Sequence, residues 1–324
     1  MMTLSQSFSV GLVAIAATTT LPALAAWPDD QPIRVIVPQA AGGTNDTVAR
    51  MISSELAKRL GQSVVVDNRP GASGAIGTQA AAQAKPDGYT LAIASDSSTI
   101  LNAVRPNLGW DFHRDLMGVA MIGDQPIGIA VSMKSPYRSL PDLIAAAKKA
   151  PGTLGYGTSG LGTSQHIVGE WFARLADVRM IHVPYKGGGQ AISDLAGGQV
   201  PAAVLGSAPL VGQDRAGTIK IVAVTSPRRS TTLPNVPTLT ELGYKDIALT
   251  QWVGFVAPRG QPAPIAERLS NEIRQVVALP DIQRKLTEAG LDPQYMAAAP
   301  FDVFLGKTVS TWKDLIKTLD LKLE

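Results

Sequence analysis

Two kinds of apolar pattern alternate along this chain. Short runs rich in β-branched residues are separated by longer stretches in which apolar residues return every third or fourth position. "PIRVIVPQ" (32–39) is of the first kind and predicts a buried strand. After "GGTND", the residues Val48, Met51, Ile52, Leu56 and Leu60 form a helical stripe that Gly61 ends. "SVVVDNR" predicts a second strand, "GAIGTQAAAQA" a helix and "YTLAIAS" (89–95) a third strand. This β-α-β-α-β order implies parallel strands joined by right-handed crossovers.

The pattern then restarts. "GIAVSM" (128–133) predicts a strand, and "SLPDLIAAAKKA" a helix opened by Ser139 with Pro141 in its first turn. "TLGYGTS" predicts a strand. "SQHIVGEWFARLA" predicts a helix with Ile167, Val168, Trp171, Phe172 and Leu175 on one face. "RMIHVPY", "VPAAVLG" and "IKIVAVTS" (219–226) predict strands, with a short helix at "GQAISDLAGG". One more strand, "WVGFVAP" (252–258), precedes helices at 264–278, 280–289 and 300–319. No residue-level repeat underlies the two α/β units. The chain is expected to cross near 123–128 and to return between 226 and 252. Domain 1 then comprises 26–124 with 227–324, and domain 2 comprises 125–226. Ligands of open α/β sheets bind beyond the carboxyl ends of the strands. Two such sheets facing one cleft have the layout of a hinged binding protein.

The remaining composition narrows the function. The chain has 324 residues, 45% of them apolar and 17% charged, which is a globular composition long enough for two domains. A net charge of +3 with scattered Lys and Arg gives no nucleic-acid stripe. Without cysteine, disulfides, thiolate metal sites and cysteine nucleophiles are excluded. His113, His166 and His182 lie far apart and show no zinc-ligand spacing. The Ala-rich apolar stretch "VGLVAIAATTTLPALAA" ends in Ala23-Leu24-Ala25, the signature of a secretory signal over residues 1–25 with the cut before Ala26. Its leading segment, "MMTLSQSFS", carries no Lys or Arg, which leaves a leader on a cytosolic protein as the alternative.

Three loops could carry chemistry. In the first, residues 38–46 from Pro38 to Asp46, Gly42 and Gly43 let a ligand approach the backbone, and the following helix aims free N–H groups and its positive dipole end into the same space. The same residues also suit an ordinary capped turn. Asp46 would repel an anion at contact distance, so it is expected to orient water or accept a ligand hydrogen bond. The second loop, "GYGTSGLGTSQH", fits G-x-G-x-x-G at Gly155, Gly157 and Gly160, and it lies between a strand and a helix. The next strand ends without the acidic residue that would hold a ribose, which argues against a dinucleotide. No G-x-S-x-G elbow is present either. The loop instead offers Thr158, Ser159, Gly160, Thr163 and Ser164 to carboxylate oxygens, with His166 either at the cleft or in the fold. The third loop, "HVPYKGGG", brings Tyr185, Lys186 and Gly187 beside the second. Ser95 to Ser98, Ser207 and Trp252 are placed near the same cleft, with Trp252 either stacking on a ligand or filling the hinge.

Over almost all of the mature chain, "VPQAAGGTNDTVAR", "VVVDNRPGASGAIGTQAAAQAKPDGYTL", "HVPYKGGGQAISDLAGGQV" and "AVTSPRRSTTLPNVPTLTELGY" give it the look of a known family. The chain resembles the Bug (Bordetella uptake gene) receptors, the solute-binding proteins of tripartite tricarboxylate transport systems. The resemblance implies a two-domain α/β periplasmic binding protein of type II, Venus-flytrap form, with its cleft between the domains. It implies a small carboxylate ligand: a di- or tricarboxylate, an amino acid or an aromatic carboxylate. One carboxylate would meet the loop at Pro38, Gly42, Gly43 and Asp46 through backbone groups and ordered water. The other end would meet Thr158 to His166, helped by Tyr185, Lys186 and Gly187. Two departures stand out. Pro201 replaces a common Asp, and Leu205 and Gly206 replace bulkier or polar groups, which suggests a roomier, more apolar distal pocket and a longer or aromatic ligand. "PQAAGG" also stands where Phe-Pro-Pro-Gly-Gly is common. The expected protein is a monomeric, non-enzymatic receptor without cofactor or metal, serving integral membrane transporter subunits. The alternative is a periplasmic sensor accessory or enzyme that uses the same cleft.

Overall fold

A computed structural model describes residues 27–105 and 107–321. The signal segment expected at 1–25 lies outside these residues. The first unit is built from β1 (Ile33–Val37), α1 (Thr44–Leu60), β2 (Val64–Asn68), α2 (Ala75–Ala82), β3 (Thr90–Ser95) and α3 (Asp96–Val104). Both β2 and β3 run parallel to β1, as the β-α-β-α-β pattern predicts. In β1, Val35 and Val37 face the core that holds Val48, Ile52 and Leu56 of α1, whereas Ile36 faces the core that holds Ala75 and Ala81 of α2. Burial on both faces is why the run is apolar at every position except Arg34 instead of alternating.

After α4 (Phe112–Asp115) comes β4 (Leu116–Ser132), a strand of 17 residues. Only its last part was expected from the sequence, because Gly118, Gly123 and Pro126 break the apolar run. Close packing accounts for two of these interruptions. A Cβ on Gly118 would lie 2.8 Å from the Phe301 ring, and one on Gly123 would lie 2.6 Å from the Asp292 carbonyl oxygen.

The second unit follows: α5 (Leu140–Lys149), β5 (Gly155–Thr158), α6 (Ser164–Leu175), β6 (Ile181–Pro184), α7 (Gly188–Gly197), β7 (Ala202–Gly206), α8 (Ser207–Arg215) and β8 (Ile219–Val224). Helices again cover both faces, with Leu143, Val168 and Phe172 on one side and Ala191, Leu195 and Leu210 on the other. The chain returns through β9 (Thr250–Pro258), α9 (Ala263–Val277), α10 (Pro280–Glu288), β10 (Asp292–Ala297) and α11 (Ala298–Leu319).

The strand order is β2-β1-β3-β9-β4-β7-β5-β6, with β8 and β10 also paired to β4. The long β4 belongs to both lobes: its first part pairs with β9 and β10, its last part with β7 and β8. Trp312 and Leu319 of α11 reach Ile100 of α3 and Ile167 of α6, so the last helix touches both lobes. No helix among the described residues is long and apolar enough to cross a membrane.

Phe301 also sits over Gly254 of β9, where a Cβ would lie 2.7 Å from both the ring and the Ala120 carbonyl oxygen. Gly254→Val should therefore lower stability by about 1–3 kcal/mol through overpacking. An unchanged urea midpoint would show that this contact has slack.

A candidate binding cleft between the lobes

The segments that follow β2 and β3 meet the segment that follows β5 across one interface. Ser73 Oγ donates to the Leu161 carbonyl at 3.2 Å, and Ser97 Oγ lies 3.2 Å from Ser164 Oγ. A Cβ on Gly162 would stand 3.3 Å from Val104. The two lobes are thus closed on each other.

In the β1–α1 loop Pro38 is buried under Gly77, where a Cβ would fall 2.7 Å from Pro38 Cα. Gly42 has φ +86°, a conformation that favours glycine. Asp46 is fully engaged within the loop. It accepts from Gly42 N–H at 2.9 Å, Arg50 Nε at 3.1 Å and Asn68 Nδ2 at 2.9 Å, and Arg50 also forms an ion pair with it at 3.0 Å. Burial pushes its carboxyl up, but Arg50, Gly42 and Asn68 together hold it below the usual carboxylate range. The charge of Asp46 is thereby balanced by the protein's own Arg50. Helix α1 begins after Gly43 with no side-chain cap, so its first-turn N–H groups receive nothing from a capping side chain.

The Gly-rich stretch behaves differently from the dinucleotide pattern it fits. Gly155 and Gly157 lie inside β5 instead of following it. A Cβ on Gly157 would be 3.0 Å from the Tyr185 ring, and one on Gly160 would be 3.2 Å from the Tyr185 carbonyl oxygen. These glycines make room for the neighbouring β6–α7 turn. Most hydroxyls here bind the loop itself. Thr158 Oγ1 lies 2.7 Å from His182 Nε2, Ser159 bonds Gln165, and Thr163 Oγ1 donates to the Gly160 carbonyl at 2.8 Å.

His166 is bonded and stacked within the second lobe. Its Nδ1 accepts from Gly162 N–H at 3.2 Å, its Nε2 is 4.0 Å from Glu170, and its ring stacks on His182 at 3.7 Å. Burial pushes His166 down to about 4. Burial together with the neighbouring His166 pushes His182 down to about 3. Ser95 caps α3 in a reciprocal pair with Ser98, and Ser207 Oγ donates to the Gly290 carbonyl at 3.2 Å. Trp252 is buried edge-on against Phe301 and Phe304 and fills the core. Lys186 is exposed, Tyr185 is half-buried, and Gly187 opens α7, which like α1 has no side-chain cap.

The distal pocket is not roomier at Gly206. The place of its missing Cβ is filled by Gln251 Oε1 and by Gln125 Nε2, the latter 2.9 Å away, and Leu205 is buried in the core. Gly206 therefore adds no room there, because two glutamine side chains occupy that space.

Residues 48–321 match the family model described as "Tripartite tricarboxylate transporter family receptor". The chain belongs to this family. Protein BugT of Bordetella pertussis (strain Tohama I) is 32% identical to it over 98% of this chain and 95% of BugT. An R. palustris protein solved with adipate is 32% identical, with a TM-score of 0.86 over 91% of this chain and 98% of that one. MatC of Rhodopseudomonas palustris, solved with bound malate, is 28% identical, with a TM-score of 0.81 over 89% and 99%. The two-domain α/β fold implied by the resemblance is thus the fold of this tripartite tricarboxylate transporter receptor.

Other residues at the centre of this receptor escape motif reading. Gln251 Nε2 donates to Ser164 Oγ at 3.0 Å, Gln125 Nε2 reaches Gln251 Oε1 at 3.5 Å, and Gln125 Oε1 accepts from Ala208 N–H at 2.8 Å. Asp96, beside Ser97, is 1% exposed. The available signal was an amide in each of two otherwise apolar strands, and an acid directly after the strand end at Ser95. No group of three or more His, Cys, Asp or Glu among the described residues is arranged to hold a metal ion.

Proposed function

We propose that this receptor works outside the cytoplasm, closing its lobes round a small carboxylate and presenting it to the integral membrane subunits of a tripartite tricarboxylate transporter. The observation that carries this reading is the N-terminus of α1. It has no side-chain cap, glycines stand at 42 and 43, and the adjacent Asp46 is already neutralised by Arg50. A helix end in that state attracts an anion and allows close backbone approach. The uncapped α7 at Gly187 gives the opposite wall the same character. Relatives solved with adipate and with malate support a dicarboxylate that spans the two walls.

In this reading residues 1–25 are a signal removed before Ala26, and the mature chain acts as a monomer. The boundary at 124/125 falls where β4 passes between the lobes beside β9, whereas Leu233, Val236, Leu239 and Ile247 pack in the cores of the second lobe, which favours a return at the start of β9 over one at 226/227.

A thermal-shift panel of mono-, di-, tri- and aromatic carboxylates tests the reading. A ligand at about a hundred times its Kd adds roughly 2.7 kcal/mol of apparent stability. Dicarboxylates should give the largest shifts and remain unconsumed on incubation. No shift across the panel overturns the carboxylate assignment, and consumption of a ligand overturns the receptor assignment.

A further inference from the structure

Asp96 is the first residue of α3, at the carboxyl end of β3 in the first lobe. It is buried, and neither carboxyl oxygen has a hydrogen-bond partner. Its cover comes from both lobes. Ser97 belongs to its own helix, Gln251 to the strand β9 that runs along the hinge, and Ser164 to α6 of the second lobe. These three bond to one another: Ser97 Oγ lies 3.2 Å from Ser164 Oγ, and Gln251 Nε2 donates to Ser164 Oγ at 3.0 Å. The polar network thus runs from one lobe to the other around the carboxyl, with Ser164 and Gln251 bonded to each other beside it. Ser164, the Ser97 backbone and Gln251 stand beside the carboxyl without closing a well-formed hydrogen bond to it, and an ionised carboxylate so enclosed is unfavourable, whereas the neutral acid carries its own O–H.

We propose that Asp96 is a closure-coupled proton site: its carboxyl takes up a proton from water as the lobes close and returns it as they part, so that acid favours the closed receptor. This rests on the two-lobe closing motion of the proposed function and adds its regulation. Separation withdraws Ser164 with α6 and lets water reach the carboxylate. Burial supports the same conclusion, pushing the closed-state carboxyl up to about 7 against the milder opposing influence of Ser164, the Ser97 backbone and Gln251.

No charged side chain faces Asp96 from α3, α6 or β9: the groups acting on it are Ser97, Ser164 and Gln251. The other raised acid at the hinge is Asp124. It takes a hydrogen bond from Thr250 Oγ1 at 2.8 Å and is pushed up by burial and by Asp292. Its partners lie on the continuous strands β9 and β10, so closure leaves them in place. His166 and His182 have their partners within the second lobe and likewise keep them when the lobes part.

The chain has no cysteine, so Lys58→Cys on α1 and Lys148→Cys on α5 can be spin-labelled uniquely at exposed sites. Distances between the labels, measured on the ligand-free protein from pH 5 to 7.5, report closure without any carboxylate. A failure of the carboxylate reading and a failure of this one are therefore separate results. The ratio of closed to open forms should fall by up to about tenfold per pH unit over this range. Asp96→Asn and, independently, Asp96→Ser should make it independent of pH, while Asp124→Asn should leave the wild-type response. A flat wild-type profile overturns the proposal. So does a response that survives both Asp96 substitutions, or one abolished by Asp124→Asn.

Discussion

A Gly43→Val receptor should lose at least about a hundredfold in carboxylate affinity while keeping its fold. Gly43 has φ −84°, which any residue adopts, and a Cβ there meets nothing closer than the Ala40 carbonyl oxygen at 3.9 Å. The fold therefore has room for valine. A side chain at this helix-capping position nevertheless lies directly over the first-turn N–H groups. Valine methyls would cover those donors and replace an anion with hydrocarbon. Stability should fall by no more than about 1 kcal/mol, the scale of a poor cap. Gly43→Asp separates occupancy from damage. Its carboxylate would bind the same N–H groups in place of the ligand and complement the helix dipole, raising stability by a few tenths of a kcal/mol. Affinity is then lost in both variants while melting temperature moves in opposite directions. Titration calorimetry with whichever dicarboxylate gives the largest thermal shift, alongside thermal unfolding, checks both. Wild-type affinity in either variant would remove the β1–α1 loop from the site.

Much of the fold was legible because its strands are short and buried on both faces. "PIRVIVPQ" and "YTLAIAS" are largely apolar runs for that reason, broken only at Arg34 and Thr90 before their ends, and the first helix between them keeps the stripe of Val48, Ile52 and Leu56. The elements missed were those whose pattern answers to distant packing. The first part of β4 carries glycines because Phe301 and Asp292, far along the chain, press against it. β10 pairs antiparallel to β4 with a register shift between Pro293 and Met296, so its Pro293 and half-buried positions give no alternation to read. The short helices α3 and α8 follow strand ends directly at Ser95 and Gly206, and were absorbed into the loops there.

The cleft was legible in its backbone and less so in its side chains. Gly42, Gly43 and Gly187 announce conformations and helix ends, which are local properties. The bonding of a hydroxyl is not local. Ser164 points to Ser97 and Gln251 only because the lobes meet there, and Ser207 reaches Gly290 across the fold. Gly206 shows how a small residue misleads when read alone: the space it leaves is filled by glutamines from β4 and β9. Motif reading singles out residue types suited to a ligand, and in this receptor many of those side chains instead stiffen the walls that hold it.

A pair of histidines and a buried acid should oppose each other in the acid response of the folded receptor. His166 and His182 stay neutral because their folded values fall to about 4 and about 3. The unfolded chain binds their protons first, so their contribution to stability is present above pH ~6.5 and is lost as pH falls toward those values. Asp96 has the opposite sign. Its folded value rises to about 7, so its contribution is fully present below pH ~4 and is lost as pH rises through about 7. Between pH ~4.5 and ~6.5 the unfolded state holds up to two extra protons on the histidines and the folded state one on Asp96. The net slope from these three groups is about 1.4 kcal/mol per pH unit, with stability increasing with pH. Asp96→Asn removes the opposing proton and should steepen that slope to about twice its value, leaving the variant more stable than wild type at pH 7.5 but not at pH 4.5. His182→Gln removes one histidine proton and should bring the slope from these groups near zero. Asp124, also raised by burial, is common to all three proteins and cancels in the comparison. Urea unfolding at half-unit pH intervals measures the slopes. Parallel curves for wild type and Asp96→Asn would mean that Asp96 is ionised in the folded state across this range, and that its burial is relieved by water.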